Sequence, residues 1–238
     1  MKQVILITLL ALTLSNSIIN RKFVSHLKKI APFQVYEVEE NPFKDYTLEE
    51  LRNLAGTKDD PSVVRKTFKN IVINDEYDFR KEYPQCILGI RDQGHCGGCY
   101  AFGTATCHQY RWCMKTNGEM DKVLSPQHIV SCDMEELGCR GGFSNKAFEF
   151  IYHDGLVTEE CFPYSSTEGG IPEFCITECK NGEKWAPYYS DWTDSFEYAK
   201  DIMDDMPING PIETHFDVYD DFYDYKGGIY QVTSEDPL

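Results

Sequence analysis

Beyond its first residues the chain has no long apolar run. It also has no basic surplus, since 23 Lys and Arg stand against 39 Asp and Glu, for a formal net charge of -16 over 238 residues. The first absence excludes a membrane-spanning helix, which needs about 20 apolar residues. The second argues against a nucleic-acid partner, which requires a basic stripe to displace counterions from phosphates. No Asn-x-Ser/Thr acceptor occurs, so N-glycan-dependent sorting is not expected. Internal repeats and low-complexity segments are missing as well. Cysteine is absent from residues 20–70, and all ten cysteines fall between Cys86 and Cys179.

The residues present divide the chain into three blocks. Met1-Lys2, an apolar stretch from Val4 to Leu14 and the small polar Ser15-Asn16-Ser17 have the layout of a signal peptide over residues 1–17. Ten cysteines behind such a leader imply an oxidising route, the secretory pathway, ending in a lysosome or vacuole or outside the cell. Residues 18–71 are charged and cysteine-free, which suits a removable pro-segment; a small N-terminal subdomain is the alternative. Inside it Thr47-Leu48-Glu49-Glu50 forms a capping box before Leu51 and Leu54, with Gly56 as the stop. Residues 72–238 form the third block, with maturation expected near residues 69–73.

The third block reads first as helices and then as strands. Apolar residues at helical intervals place a helix over Tyr100 to Thr116, ending at Asn117-Gly118. Ser125-Pro126 opens a second, and Ser144 is expected to cap a third that ends at Gly155. A last helix is expected from Asp194 or Ser195, with Phe196, Ala199 and Met203 on one side. Alternation at Ile212, Phe216 and Val218 then predicts a strand, and Tyr225 to Val232 predicts another. With 42% hydrophobic and 13% aromatic residues the chain can bury a core, and its fold class is α+β.

The chemistry concentrates in Gln93-Gly94-His95-Cys96-Gly97-Gly98-Cys99-Tyr100. Cys99 opens a helix, whose unpaired N–H groups and dipole favour a thiolate. Gly97 and Gly98 allow a tight turn and the close approach of a substrate backbone. Gln93 can aim its amide at an oxygen that becomes negative during acyl transfer. If Cys99 is a free thiol, nine cysteines remain and one more must be unpaired; Cys107, inside the same helix, is the candidate. Two rival readings use the same cysteines. One is a redox pair Cys96-x-x-Cys99, and the other a zinc site completed by Cys175-x-x-x-Cys179. For every cysteine except Cys99, a structural disulfide is the stronger alternative.

That run resembles the active-site signature of papain-type cysteine peptidases, Cys-Gly-Ser/Ala-Cys-Trp/Tyr. Gly98 departs from it at the Ser/Ala position. The likeness extends from about residue 30 to the end and is closest to cathepsin B. It is carried by Tyr77-Asp78-Phe79-Arg80 through Pro84-Gln85-Cys86, by Ser131-Cys132 to Gly138-Cys139-Arg140-Gly141-Gly142, by Asn209-Gly210-Pro211, and by Tyr225-Lys226-Gly227-Gly228-Ile229-Tyr230. Asn41, Phe43 and the helix after Thr47 are similar to the cathepsin B pro-segment.

The resemblance implies a two-lobed papain-like fold, here with a complete helical left lobe and a truncated β-rich right lobe. It implies Cys99 as nucleophile and Gln93 as oxyanion donor, with Gly97, Gly98, Gly141 and Gly142 along a substrate cleft. Phe143 and His215 would fall at the main specificity pocket. It pairs Cys86 with Cys113, Cys96 with Cys139, Cys132 with Cys175 and Cys161 with Cys179. No cofactor or metal is implied. The partners are peptide or protein substrates and the chain's own pro-segment as intramolecular inhibitor, on a monomer.

Two departures qualify the expectation. Only ten residues separate Tyr164 from Cys175, too few for the histidine-bearing loop that makes cathepsin B trim dipeptides from C-termini, so endopeptidase action is expected. The Gly-Gly-His context of the family's catalytic imidazole is also missing: His26, His95, His108, His128, His153 and His215 all lack it. The chain as given is therefore expected to be nearly inactive. The rival class is a truncated homologue that binds peptides or inhibitors without cutting them, and a zinc-binding secreted module is a weaker third.

Overall fold

The computed structural model describes residues 19–64, 76–166, 172–191 and 193–233. The expected signal peptide and maturation region lie outside the described residues. Seven helices and four short strands are found among the described residues. They are α1 (Arg21–Ile30), β1 (Gln34–Val35), α2 (Leu48–Leu54), β2 (Thr57–Lys58), α3 (Phe79–Glu82), α4 (Cys99–Lys115), α5 (Pro126–Cys132), β3 (Gly142–Phe143), α6 (Ser144–His153), α7 (Ala199–Asn209) and β4 (Tyr225–Gly227). Two compact units emerge, Met1–Leu51 with Asp217–Leu238, and Arg52–Phe216.

In the first unit α1 starts at Asn20, whose side chain accepts from the Lys22 and Phe23 N–H groups, and it buries Val24 and Leu27. β1 pairs antiparallel with β4. Beside that ladder Phe33, Phe222, Tyr225 and Tyr230 interlock, with Phe222 and Tyr230 5.0 Å apart at their centroids. Buried Asn41 donates from Nδ2 to Tyr223 O and Asp224 Oδ1, each at 2.9 Å. The capping box is present: Glu50 accepts from the Thr47 N–H at 2.7 Å, and Thr47 Oγ1 accepts from the Glu50 N–H at 3.3 Å.

The second unit is built around α4. Tyr100, Ala101, Thr104, Ala105, Cys107, His108, Gln109 and Cys113 of this helix are all buried, so it is covered on most of its circumference. α5 and α6 pack on it, closing a core of Ala101, Ala105, Leu124, Ile129, Val130, Ala147, Ile151 and Leu156. Two buried glutamines inside are hydrogen-bonded. Gln109 Oε1 accepts from the Leu124 N–H at 3.1 Å, and Gln127 bonds Ser131, Ser165 and Ser166. α5 has the expected cap, with the Ser125 side chain accepting from the His128 N–H ahead of Pro126. The four disulfides are those the resemblance implied, with Cys99 and Cys107 left as thiols. Cys96, Cys175 and Cys179 are thereby consumed, which removes the redox pair and the zinc site.

Four local expectations are corrected. Ser144 lies inside α6 and does not cap it; its hydroxyl donates to Glu213 Oε1 at 2.8 Å instead. The last helix begins at Ala199, not near Asp194, and turns Asp201, Asp204 and Asp205 inward while Met203 stays 45% exposed. Arg111 of α4 holds Asp205 inward at 3.0 Å, while Asp204 meets Lys200 of its own helix at 2.8 Å. Residues 212–218 form no strand, since alternation marks a face but a ladder needs a neighbouring strand. The carbonyl that leads into the segment, Pro211 O, is taken instead by Arg111 Nε at 2.8 Å. The strand expected over Tyr225 to Val232 stops at Gly227, because Gly228 takes a φ of +94° that a ladder cannot continue.

Candidate active site

Cys99 is the first residue of α4, after Gly98 as N-cap, and no side chain caps that end. The Ala101 and Phe102 N–H groups bond Gly98 O, and no acidic residue occupies the first turn. The thiol is half-buried and therefore meets the unpaired amide end of a seventeen-residue helix, where negative charge is favoured. Its buried counterpart Cys107 is held against Pro211 O at 3.0 Å, and burial pushes its pKa up, which keeps it a thiol.

A strap from the N-terminal side lies over this end of the helix. Thr57 places both its N–H and its Oγ1 3.1 Å from Cys99 Sγ. β2 of the strap pairs in parallel with β3, setting Thr57 against Gly142 and Lys58 against Phe143. The Gly142 N–H donates to Gly56 O at 2.9 Å. Further along, Asp60 accepts from Asn145 Nδ2 at 3.1 Å. Gln93 directs Nε2 at Leu54 O, 2.9 Å away, so the proposed oxyanion donor bonds a peptide carbonyl of the strap. Tyr164 holds the Gln93 backbone by donating to Gln93 O at 2.8 Å.

The glycines explain how the strap comes so close. A Cβ on Gly97 would fall 2.3 Å from Asn53 O, one on Gly141 2.3 Å from Gly56 O, and one on Gly56 2.1 Å from Gly97 O. Gly98 differs, because a Cβ there would meet Cys96 Sγ at an ordinary 3.4 Å. The departure from Ser/Ala at this position therefore leaves space rather than a clash.

Cys99, Gln93, Gly97, Gly98, Gly141, Gly142 and Phe143 are thus brought together around the strap. His215, in the 211–218 segment, lines a cavity of about 660 Å³ with Lys58, Glu213, Ser144 and Asn145; Phe143 is not in that lining. Burial pushes the pKa of Glu213 up. His108 and His128 serve the interior: His108 Nε2 lies 3.2 Å from Tyr188 O, and His128 Nδ1 accepts from the Val157 N–H. Burial lowers both imidazoles to about 4. No group of three or more His, Cys, Asp or Glu among the described residues is arranged to hold a metal.

Sequence reasoning missed three parts of this site. Leu54 and Thr57 flank a glycine read only as a helix stop, and that glycine's position before a β-branched residue was the available signal. Glu136 lies in the acidic run Asp133-Met134-Glu135-Glu136, which reads as a solvated loop. It is in fact 8% exposed, and its Oε2 accepts from the Phe143 N–H at 2.9 Å.

Comparison with known proteins gives one answer. The family model described as papain family cysteine protease matches residues 73–237. "Cathepsin B-like CP3" of Giardia intestinalis is 33% identical over 218 residues, 88% of this chain and 72% of that protein. "Cathepsin B-like CP2" of the same organism is 34% identical over 164 residues, and the aligned part spans 68% of this chain but only 54% of the relative. Among solved structures, "proCathepsin B S9 from Trypanosoma congolense" superposes with a TM-score of 0.80 at 23% identity, covering 93% of this chain and 80% of that one.

Proposed function

The chain belongs to the papain family of cysteine proteases, among its cathepsin B-like members, and from that premise we propose that it is the precursor of a cysteine endopeptidase. Its domains are a leader over 1–17, a pro-segment over 18–71 and a peptidase domain over 72–238, on a secretory route to a lysosome, vacuole or the exterior. The observation that carries the reading is Thr57 seated on Cys99 Sγ while Gly56 O occupies the Gly142 N–H.

Once the strap leaves, an extended peptide takes those same backbone groups. The Cys99 thiolate attacks the scissile carbonyl and the carbonyl oxygen becomes an oxyanion. Gln93 Nε2, which bonds Leu54 O in the strapped form, turns to that oxyanion. In the complete enzyme, collapse of the adduct would expel the amine with a proton from the family's catalytic imidazolium, a group that none of the six histidines here supplies, leaving an acyl thioester on Cys99 that water, activated by the same imidazole, would hydrolyse. Gly97, Gly98, Gly141 and Gly142 let the substrate backbone lie flat on the cleft, and Phe143 and His215 contribute to side-chain selection. The short segment from Tyr164 to Cys175 supports cleavage within chains rather than trimming from an end.

The test compares intact chain with chain from which residues 18–71 have been removed, scoring hydrolysis of a fluorogenic peptide and alkylation of Cys99 by iodoacetamide. Removal is expected to raise alkylation of Cys99, while hydrolysis by these residues stays close to background because none of the six histidines has the catalytic context; any residual hydrolysis should vanish in Cys99→Ser. Peptide binding with no Cys99-dependent turnover would instead assign the chain to the non-cleaving homologues, and a Cys99 alkylated equally fast in both forms would refute the strap.

A further inference from the structure

We propose that Glu136 is a positioning residue for the peptide-binding strand: it fixes β3 from behind, through the Phe143 N–H, and so sets how firmly any backbone is held across Cys99. The inference rests on the reading of the strap as a resident of the substrate cleft, and extends it to a residue to which the resemblance gave no role.

The geometry is close. Glu136 Oε2 accepts the Phe143 N–H at 2.9 Å. A Cβ added to Gly142 would fall 2.2 Å from the same oxygen and 2.7 Å from the Tyr100 ring, so the strand lies directly on a floor made of these two side chains. Tyr100 is fully buried, follows Cys99 in α4, and donates from its hydroxyl to Gly138 O at 3.2 Å. Strand, floor and nucleophile thus form one continuous contact. Opposite the floor, the Gly142 N–H points the other way, to Gly56 O. Alternate amides of a strand face opposite sides, so holding the Phe143 amide inward turns the Gly142 amide outward to the cleft.

Glu136 can do this as a neutral acid. Burial, with Asp133 beside it, pushes its pKa up to about 7, and its second oxygen, Oε1, is buried without a partner. What the strand requires is an acceptor oxygen at this point rather than a charge. An amide of the same shape supplies one and a methyl does not. Loss of the acceptor leaves a part-buried N–H without its partner, and β3 must shift toward water to satisfy it.

The experiment uses the intact chain with Glu136→Ala and Glu136→Gln. It reads the iodoacetamide rate at Cys99, that at buried Cys107 as a monitor of global opening, and hydrogen exchange of the Phe143 amide. Glu136→Ala is expected to accelerate Phe143 exchange and Cys99 alkylation by about tenfold or more while Cys107 stays protected. Glu136→Gln should restore both to within about twofold of the parent. Cys99 unchanged in Glu136→Ala, Cys107 opening in step with it, or Glu136→Gln behaving like Glu136→Ala would each overturn the inference. Gly56→Ala separates the two ideas, since it displaces the strap without touching Glu136. If it fails to expose Cys99 the strap reading is wrong, whereas a faster Phe143 exchange in Glu136→Ala still reports on the floor by itself.

Discussion

Gly56 and Gly98 sit on either side of the nucleophile and demand opposite things of a side chain. At Gly56 a methyl group would lie 2.1 Å from the backbone oxygen of Gly97, an atom that cannot turn aside. Forcing the methyl in costs about 1–3 kcal/mol, and the strap can escape that strain by lifting off Cys99. Gly56→Ala is therefore expected to raise the Cys99 alkylation rate by about tenfold, each 1.4 kcal/mol being a factor of ten. At Gly98 the same methyl meets its nearest neighbours at 3.4 and 3.5 Å, and the backbone, with φ at -93°, suits an L-residue. Gly98→Ala is expected to stabilise the chain by about 0.4–1 kcal/mol, by narrowing the unfolded ensemble, with Cys99 shielding unchanged. Urea unfolding together with alkylation kinetics checks both, and a strap that tolerates Gly56→Ala would show that β2 is not pressed into the cleft.

Among the elements, α5 shows how a local signal and a distant contact share one atom. Ser125 Oγ accepts the His128 N–H at 3.2 Å and donates to Phe162 O at 2.6 Å. Ser125→Ala removes the cap and leaves a buried carbonyl without its donor. Its expected cost of about 2–4 kcal/mol exceeds the roughly 1 kcal/mol of an ordinary cap, and is read as a lower urea midpoint at unchanged slope. Only the first half of that arrangement was legible in the sequence. Caps and periodicity are local, which is why α2, α4 and α5 were anticipated nearly to the residue. The inverted α7 was not, because the ion pair that draws Asp205 inward comes from Arg111, 94 residues earlier. The strand expected over 212–218 failed for the same reason, since pairing partners lie outside any sequence window. In the site, Cys99, Gln93 and the glycines that meet the strap could be singled out in the sequence because the chemistry proposed for them demands particular residue types. Thr57 and Glu136 meet the site through contacts with residues of other elements, Cys99 for one and the Phe143 N–H for the other, and so leave no local pattern.

For the molecule as a whole, buried titratable groups pull stability in opposite directions with pH. Burial raises Glu136 to about 7 and Asp133 to about 6, and also moves Glu159 and Glu213 upward. A carboxyl whose folded pKa exceeds its unfolded one stabilises most in acid, and that contribution is lost as pH rises through the folded value. Burial lowers His108 and His128 to about 4, which has the reverse consequence: their contribution is full above about pH 6.5 and is lost as the pH falls toward 4. Above about pH 7.5 the histidines are largely neutral in both states, so the carboxyls dominate and stability should rise on acidification; toward about pH 6.5 the histidines of the unfolded chain begin to take up protons. Below that the histidines oppose them, and the curve should flatten into a mildly acid optimum, the regime of the lysosomal or vacuolar route proposed above. Asp133→Asn with Glu136→Gln removes two strongly raised carboxyls that lie close together. The doubly substituted chain is expected to lose most of the gain between about pH 8 and pH 6.5, and to lose stability more steeply below it. Melting temperatures by circular dichroism across that range provide the check, and parallel curves for the two proteins would show that these carboxyls titrate alike in the folded and unfolded chain.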